Sequence, residues 1–308
     1  MFRLVIRTLL PLLIIGQLSA QEVQFSGLKE LNGTKLFVEI VGKGEPVIVI
    51  HGGPGLNHHY FQPWLNDLSK KYQLVYFDQR SSGASDLSIK AYINLKNFVE
   101  DIEALRKDLG VEKVHLFAHS WGAVIANAYI EKYPEHVASL IYCSPVPFDH
   151  NYDQAVNNTI TARMSQADSL QKEDIMASEA FQKGEMSAVY GLMHLSFKQM
   201  FCDTAKEKLL DLHLQDDYIV ASLSLYGLAE DMYTFDDYTK LKDKHFDFPI
   251  LILHGSCDIM PEAAITSIQQ TLPGSKLVEF DHSGHFIFIE EQAAFTKTVL
   301  KFLKKVKY

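Results

Sequence analysis

The sequence predicts an α/β fold: a doubly wound, mostly parallel sheet into which a helical cap is inserted. Two observations support this prediction. Short apolar runs typical of strands alternate with segments in which apolar residues recur at helical spacing. The alternation stops near Pro145-Val-Pro147 and resumes at Phe248-Pro249, and between these points no strand pattern is evident.

These breaks divide the chain. Residues 1–20 are predicted to be a signal peptide, 21–147 the first part of the sheet core, 148–245 the helical cap and 246–308 the second part of the core. We expect the helical cap to cover the functional site as a lid. The alternative is that the cap has only a structural role.

The first predicted elements are a hairpin and a buried strand. Residues 23–41 alternate polar and apolar side chains around Asn32-Gly33, a pair typical of tight hairpin turns. The β-branched run 47–50 is typical of a strand buried on both faces. A segment through Trp64 and Leu68 has a helical pattern. Further strands are predicted at 72–77, 114–118, 137–143, 249–254 and 276–280, with helices at 94–109 and 122–133.

Ser120 lies in Ala118-His-Ser-Trp-Gly122, between a predicted strand and a predicted helix. A serine on such a sharp strand-to-helix turn has its hydroxyl lifted clear of the backbone, the geometry of a nucleophile elbow. The motif alone leaves open a surface serine on an ordinary turn.

Asp258 and His285 each follow one of the last two predicted strands. The carboxyl ends of parallel strands form one edge of a sheet, where ligands bind. Ser120, Asp258 and His285 are therefore predicted to form a catalytic triad. The histidine would take the serine proton near neutral pH, and the aspartate would hold its tautomer.

The glycine-rich loop His51-Gly-Gly-Pro-Gly55 follows an early strand. Neither Gly-Lys-Ser/Thr nor Gly-x-Gly-x-x-Gly is present, so the pattern disfavours nucleotide binding. We instead expect an oxyanion hole, with one backbone N–H from Gly53 and another from Trp121.

No metal or organic cofactor is expected. The paired histidines at 58–59 and at 282 and 285 suggest metal ligands, but His-Glu-x-x-His and Cys-x-x-Cys are absent. The three cysteines, at positions 143, 202 and 257, form no disulfide framework, and one must stay unpaired. Cys257 is disfavoured as the nucleophile, because Ser120 already lies on the strand-to-helix turn and next to the expected oxyanion donors.

Charge and the N-terminus restrict partners and location. A net charge of −9 without a basic stripe argues against a nucleic-acid partner. The expected substrate is a small molecule or a short peptide. Arg3 and Arg7 precede the apolar run 9–15, and Ala20 ends a plausible cleavage site. This predicts an exported protein, periplasmic or secreted, with no stable membrane span after cleavage. A retained anchor is the alternative, and the oligomeric state stays open.

The chain resembles the α/β-hydrolase fold superfamily, and most closely its proline iminopeptidase branch of serine peptidases. The resemblance is carried by His51-Gly-Gly-Pro-Gly55, Asp78-Gln-Arg-Ser-Ser-Gly-Ala-Ser85 and Ser120-Trp-Gly122. It implies the triad and oxyanion donors named above, with Asp78 and Arg80 bracing loops. Two departures are Ser81 in place of a glycine and Ala118-His119 in place of Gly-Gly, the latter similar to esterase and lipase elbows.

The resemblance implies an aminopeptidase that removes N-terminal residues, proline among them, from short peptides. Such an enzyme must bind a cationic amine, and in this branch cap glutamates do so; Glu230 and Asp231 are the candidates here. A carboxylesterase or lactonase on the same triad is an alternative, as is a non-catalytic binding protein of the same fold. Dehalogenase and epoxide hydrolase chemistry are disfavoured, because they need an aspartate where Ser120 stands.

Overall fold

Eight strands form one sheet in the computed structural model, which describes residues 22–225, 240–242 and 244–306. In chain order they are β1 (Val23–Leu31), β2 (Thr34–Val41), β3 (Pro46–Ile50), β4 (Gln73–Phe77), β5 (Val114–His119), β6 (Val137–Cys143), β7 (Ile250–Gly255) and β8 (Lys276–Phe280). Their spatial order is β1-β2-β4-β3-β5-β6-β7-β8. The pairs β1–β2 and β2–β4 are antiparallel and the other five are parallel, which confirms the predicted fold class.

The helices of the described residues alternate with the parallel strands, except in a cluster between β6 and β7. They are α1 (Leu95–Asp108), α2 (Gly122–Lys132), α3 (Asp153–Arg163), α4 (Gln166–Ala177), α5 (Glu179–Gln182), α6 (Met186–Lys198), α7 (Tyr218–Leu225), α8 (Glu262–Thr271), α9 (Ile287–Glu290) and α10 (Gln292–Leu303). Short 3-10 helices occur at His58–Phe61, Asn66–Lys70, Lys90–Tyr92, Pro134–His136, His150–Tyr152 and Thr204–Leu209.

A hydrophobic layer lies on each face of the sheet, and the central strand β3 supplies both layers. All five residues of β3 are buried. Ile48 and Ile50 pack with α1 and α2 on one face, whereas Val47 and Val49 belong to the layer that contains α10. Burial on both faces explains why β3 reads as a continuous apolar run and not as an alternating one.

The helical insertion between β6 and β7 contains α3 to α7, and its described residues include no strand, as predicted. Helix α4 begins with a capping box, in which Ser165 and Asp168 each bond the other's backbone N–H. The predicted boundaries at 148 and 245 stay predictions. The predicted signal peptide, 1–20, lies outside the described residues. Among the residues that are described, no helix is both long enough and apolar enough to cross a membrane.

The segment through Trp64 and Leu68 differs from its predicted helical form. The structure has two short 3-10 helices there, at His58–Phe61 and Asn66–Lys70. Pro63 lies between them. Proline lacks a backbone N–H and disfavours helical backbone at the residue before it, so a continuous helix cannot cross this point.

Candidate active site

Ser120 lies on a strained turn between β5 and α2. Its φ is +53°, in the left-handed region that residues with a side chain rarely adopt. Three hydrogen bonds hold the turn: the Ser120 N–H donates to the Cys143 carbonyl at 3.1 Å, and the Ser120 carbonyl accepts from the N–H groups of Ala123 at 3.0 Å and Val146 at 3.3 Å. Backbone strain of this kind persists where surrounding contacts enforce it, and it accumulates at functional sites.

Two glycines allow the backbone around Ser120 to pack tightly. A Cβ on Gly52 would lie 2.9 Å from the Cβ of Ser120, so the glycine loop approaches the serine as closely as it can. A Cβ on Gly122 would lie 2.6 Å from the carbonyl oxygen of Ile50. The start of α2 therefore packs directly against the end of β3, and this contact brings the glycine loop beside Ser120.

Asp258 and His285 are joined by a buried hydrogen bond. His285 Nδ1 lies 2.9 Å from Asp258 Oδ1 and 3.2 Å from Oδ2. Burial alone would raise the pKa of Asp258, but the charge of the His285 ring when it is protonated and the hydrogen bond from that ring outweigh burial, so the pKa lies below its usual value. Because an ionised carboxylate only accepts, Nδ1 carries the ring proton, and Nε2 is the basic nitrogen of the neutral ring.

The glycine loop is oriented by His51, which sequence analysis did not assign. The Gln79 N–H donates to His51 Nε2 at 3.0 Å, so Nδ1 of the neutral ring carries the proton and donates to the Gly52 carbonyl at 2.8 Å. Burial lowers the pKa of His51 from 6.5 to about 4, which keeps the ring neutral. Since C=O and N–H of a trans peptide point in opposite directions, fixing the Gly52 carbonyl also fixes the N–H of Gly53.

A cavity of about 350 Å³ brings these groups together, and Gly53, Ser120 and His285 all line it. The rest of its wall comes from both the core and the cap. Its polar side chains are His119 and Tyr218, and its other residues are Gly52, Pro54, Leu56, Val146, Val156, Ile160, Met193, Phe197, Met200, Ile259, Met260 and Phe286. None of the described residues that line the cavity carries a carboxylate. This wall suits an apolar group placed next to Ser120.

The cap is joined to the loops that carry Asp258 and His285. Cys202 of the insertion forms a disulfide with Cys257, so Cys257 has no free thiol. Of the three cysteines, the unpaired one is Cys143, which is buried. The His285 N–H donates to the Met200 carbonyl at 2.7 Å. The pairing of 202 with 257 could not be inferred from three cysteines, because any two of them could have paired.

Arg163, at the end of α3, forms a second connection between the cap and the loop of Asp258. Its Nη1 donates to the carbonyls of Gln199 and Cys257, at 2.9 and 2.6 Å. Its Nη2 donates to the carbonyl of Asp258 at 3.2 Å. One guanidinium thus fixes three carbonyls on two segments that are far apart in the chain.

Asp78 and Arg80 hold loops in place, as the resemblance implies. Asp78 Oδ1 accepts from the backbone N–H of His58 at 2.9 Å and lies 2.7 Å from His58 Nδ1. Arg80 forms a two-point ion pair with Asp101 of α1, at 2.7 and 2.5 Å, with both side chains almost fully buried. Neither side chain lines the cavity.

Of the predicted site residues, Ser120, Gly53 and His285 line one cavity, and Asp258 contacts His285. Trp121 follows Ser120 directly and immediately precedes α2, with its indole buried against Phe98. The substrate-binding candidates, Glu230 and Asp231, lie outside the described residues, so their role stays a prediction.

The buried histidines predict that the protein loses stability in mild acid. Burial lowers the pKa values of His51, His119 and His254, so the unfolded chain takes up protons between pH 6.5 and 4.5 that the folded chain does not. These neutral histidines make their full contribution to the free energy of unfolding above pH 6.5, and that contribution falls as the pH is lowered. His51 alone contributes a loss of roughly 2–3 kcal/mol by pH 4.5. Urea unfolding at several pH values between 6.5 and 4.5 measures this loss of unfolding free energy.

A matched pair of histidine variants tests the cause of this loss. His119→Gln removes a buried ring and should make the unfolding free energy depend less steeply on pH, by up to about one proton. His245, whose side chain is largely exposed, provides the control, and His245→Gln should leave the slope unchanged. Equal slopes for all three proteins would contradict the explanation.

Comparisons with known proteins agree with the fold. The family described as the alpha/beta hydrolase fold matches residues 45–292. A proline iminopeptidase of Lactobacillus delbrueckii subsp. bulgaricus is 27% identical, with 87% of this chain and 93% of that protein covered. One of Clostridioides difficile is 25% identical, covering 90% and 97%. The solved structure of an esterase from Exiguobacterium antarcticum is similar in fold, with a TM-score of 0.66 at 21% identity over 91% of this chain and all of that one.

Proposed function

Because the chain belongs to the alpha/beta hydrolase fold family, we propose that it is a serine hydrolase that forms an acyl-enzyme on Ser120. The observation that carries this proposal is the buried hydrogen bond between His285 and Asp258, at the cavity that Ser120 lines from its strained turn. This arrangement matches the roles of nucleophile, base and orienting acid in a triad.

The proposed reaction begins with proton transfer. His285 Nε2 takes the proton of the Ser120 hydroxyl as its oxygen attacks the substrate carbonyl carbon. The N–H groups of Gly53 and Trp121 stabilise the negative charge that forms on the carbonyl oxygen. The imidazolium then protonates the leaving group, and the acyl-enzyme remains. Water, deprotonated by the same histidine, hydrolyses it and restores Ser120.

For the substrate, we propose a short peptide with proline or another apolar residue at its N-terminus. The apolar wall beside Ser120 fits such an acyl group, and the relatives named proline iminopeptidase match most of the chain. Recognition of the free amine is assigned to Glu230 or Asp231, because a cation that leaves water requires a charged partner.

The second candidate is a carboxylesterase or lactonase. It is favoured by the absence of a carboxylate among the described residues that line the cavity, since a neutral ester needs none. His119, which directly precedes Ser120, also favours an esterase, because it gives the nucleophile turn an esterase-like sequence.

A substrate panel separates the two candidates. We expect turnover of proline β-naphthylamide, loss of that turnover when the proline nitrogen is acetylated, and weaker turnover of p-nitrophenyl acetate. Hydrolysis of the ester without turnover of any free-amine amide would reject the aminopeptidase and support the esterase.

The proposed amine site has its own test. Glu230→Gln or Asp231→Asn should raise KM for proline β-naphthylamide about tenfold or more, because a charged hydrogen bond is lost. The rate with p-nitrophenyl acetate should stay the same in these variants. Glu135→Gln, at an exposed side chain, is the matched control and should change neither rate. If neither cap variant changes KM, the amine is bound elsewhere.

Export is also part of the proposal. The Cys202–Cys257 disulfide supports it, because disulfides persist in oxidising compartments and are rare in the cytosol. The mass of the protein recovered from its native host tests the prediction: export with cleavage leaves a chain that begins near residue 21. A full-length chain in the membrane fraction would instead support the retained anchor.

A further inference from the structure

We propose that Tyr60 and His119 are positioning residues that connect the glycine loop, the nucleophile turn and the backbone of His285 through one hydrogen-bonded bridge. The inference rests on the proposed function, because it assigns these two residues to the alignment of the same oxyanion hole and base. Neither side chain is required to contact the reacting atoms.

The bridge consists of three buried hydrogen bonds. The Gly52 N–H donates to the hydroxyl of Tyr60 at 2.6 Å. That hydroxyl lies 2.9 Å from His119 Nδ1. On the other side of the ring, His119 Nε2 lies 3.1 Å from the carbonyl oxygen of His285. Three segments that are far apart in the sequence are thus connected by two side chains.

The chemistry of the partners determines where each proton lies. The His285 carbonyl can only accept, so His119 Nε2 carries a proton and donates it. Burial lowers the pKa of His119 well below its ordinary value, so the ring is neutral and Nδ1 is an acceptor. Tyr60 therefore accepts from Gly52 and donates its own proton to His119, and each of these atoms has a partner of the right kind.

The surroundings make this bridge rigid. Tyr60 and His119 are 1% and 2% exposed, and they pack against the rings of Phe61, Phe286 and Phe288. Removing the Tyr60 hydroxyl therefore takes away the side-chain group that holds the Gly52 N–H in place.

The position of Gly52 matters because its peptide bond contains the N–H of Gly53, the proposed oxyanion donor. His51 fixes the carbonyl of that peptide at 2.8 Å, and Tyr60 fixes the N–H of the preceding one at 2.6 Å. A shift of Gly52 would misplace a donor whose effect on a transition state depends on small distances. The bridge thus couples the oxyanion hole to the segment that holds the base.

The test uses Tyr60→Phe, with p-nitrophenyl butyrate as the substrate and butylboronic acid as a probe that adds to Ser120. We expect kcat to fall about tenfold or more with KM within about twofold, because the oxyanion is stabilised only in the transition state. Inhibition by the boronate should weaken by a similar factor, and inhibition by butyrate should not change. His119→Gln should lower kcat in the same way, and the double variant should lose less than the product of the two effects.

Tyr142→Phe is the matched control, since that buried hydroxyl donates to Asn127 on another side of the core. Tyr142→Phe should lower the melting temperature about as much as Tyr60→Phe does, and it should leave kcat and boronate inhibition unchanged. If Tyr60→Phe behaves like this control, the inference is overturned. Should Tyr60→Phe fail to fold, His119→Gln decides by the same measurements. A wild-type protein that neither hydrolyses the ester nor reacts at Ser120 would overturn the proposed function itself.

Discussion

Ser120→Ala is expected to lower turnover at least about a thousandfold on whichever substrate the wild-type protein hydrolyses best. In the proposed reaction, alanine removes the hydroxyl that would attack the carbonyl and leaves His285 without a proton to take. The left-handed φ of +53° is no harder for alanine to adopt than for serine, so the fold should be retained. The measurement is kcat under saturating substrate, with the melting temperature as a check on folding.

Ser144→Ala is the matched control for this prediction. Ser144 also adopts a left-handed φ, +47°, directly after the neighbouring strand β6, and it is buried. Its loss should keep kcat within about threefold of the wild type, because a buried serine without a chemical role affects only packing. If Ser120→Ala retained most of its activity, the nucleophile would be misassigned.

Arg80→Met is expected to destabilise the fold by about 3–5 kcal/mol, the typical effect of breaking a buried ion pair from one side. Arg80 and Asp101 are 2% and 1% exposed at their side chains. The substitution leaves the Asp101 carboxylate buried with only the Asn32 amide as a side-chain partner at 2.9 Å. Chemical denaturation at neutral pH gives the difference in unfolding free energy.

An exposed ion pair provides the control for that experiment. Lys183 and Glu179 form an i,i+4 pair on the cap with side chains 60% and 78% exposed. Lys183→Met should cost no more than about 1 kcal/mol. The double variant Arg80→Met/Asp101→Leu should recover much of the lost stability, because no unpaired charge remains. An Arg80→Met protein as stable as the wild type would show that the pair does not brace the loop.

The sheet was predictable because its strands are short apolar runs separated by clear helical segments. Residues 114–118 and 137–143 were predicted as strands, and the structure has β5 at Val114–His119 and β6 at Val137–Cys143. The arrangement of the site follows from the same pattern, since parallel strands bring the loops after their carboxyl ends to one edge. This is why the residues at 120, 258 and 285 could be grouped before any distance was known.

The contacts that orient the site could not be predicted, because they join residues whose separation in the chain carries no pattern. Tyr60 meets His119 across 59 positions, and His119 meets the His285 backbone across 166. A lone buried histidine or tyrosine has the same sequence context as any core residue. For His51, the signal was its place at the head of the glycine loop, but its role depends on the hydrogen bond from Gln79.

Covalent labelling with a fluorophosphonate, followed by peptide mass spectrometry, tests the central assignment most directly. The account predicts one adduct, on Ser120 in the peptide that contains Ala118-His-Ser-Trp-Gly122, and a labelling rate that collapses in His285→Ala. A protein that hydrolyses substrate yet carries the label on a different residue, or labels equally fast without His285, would contradict it.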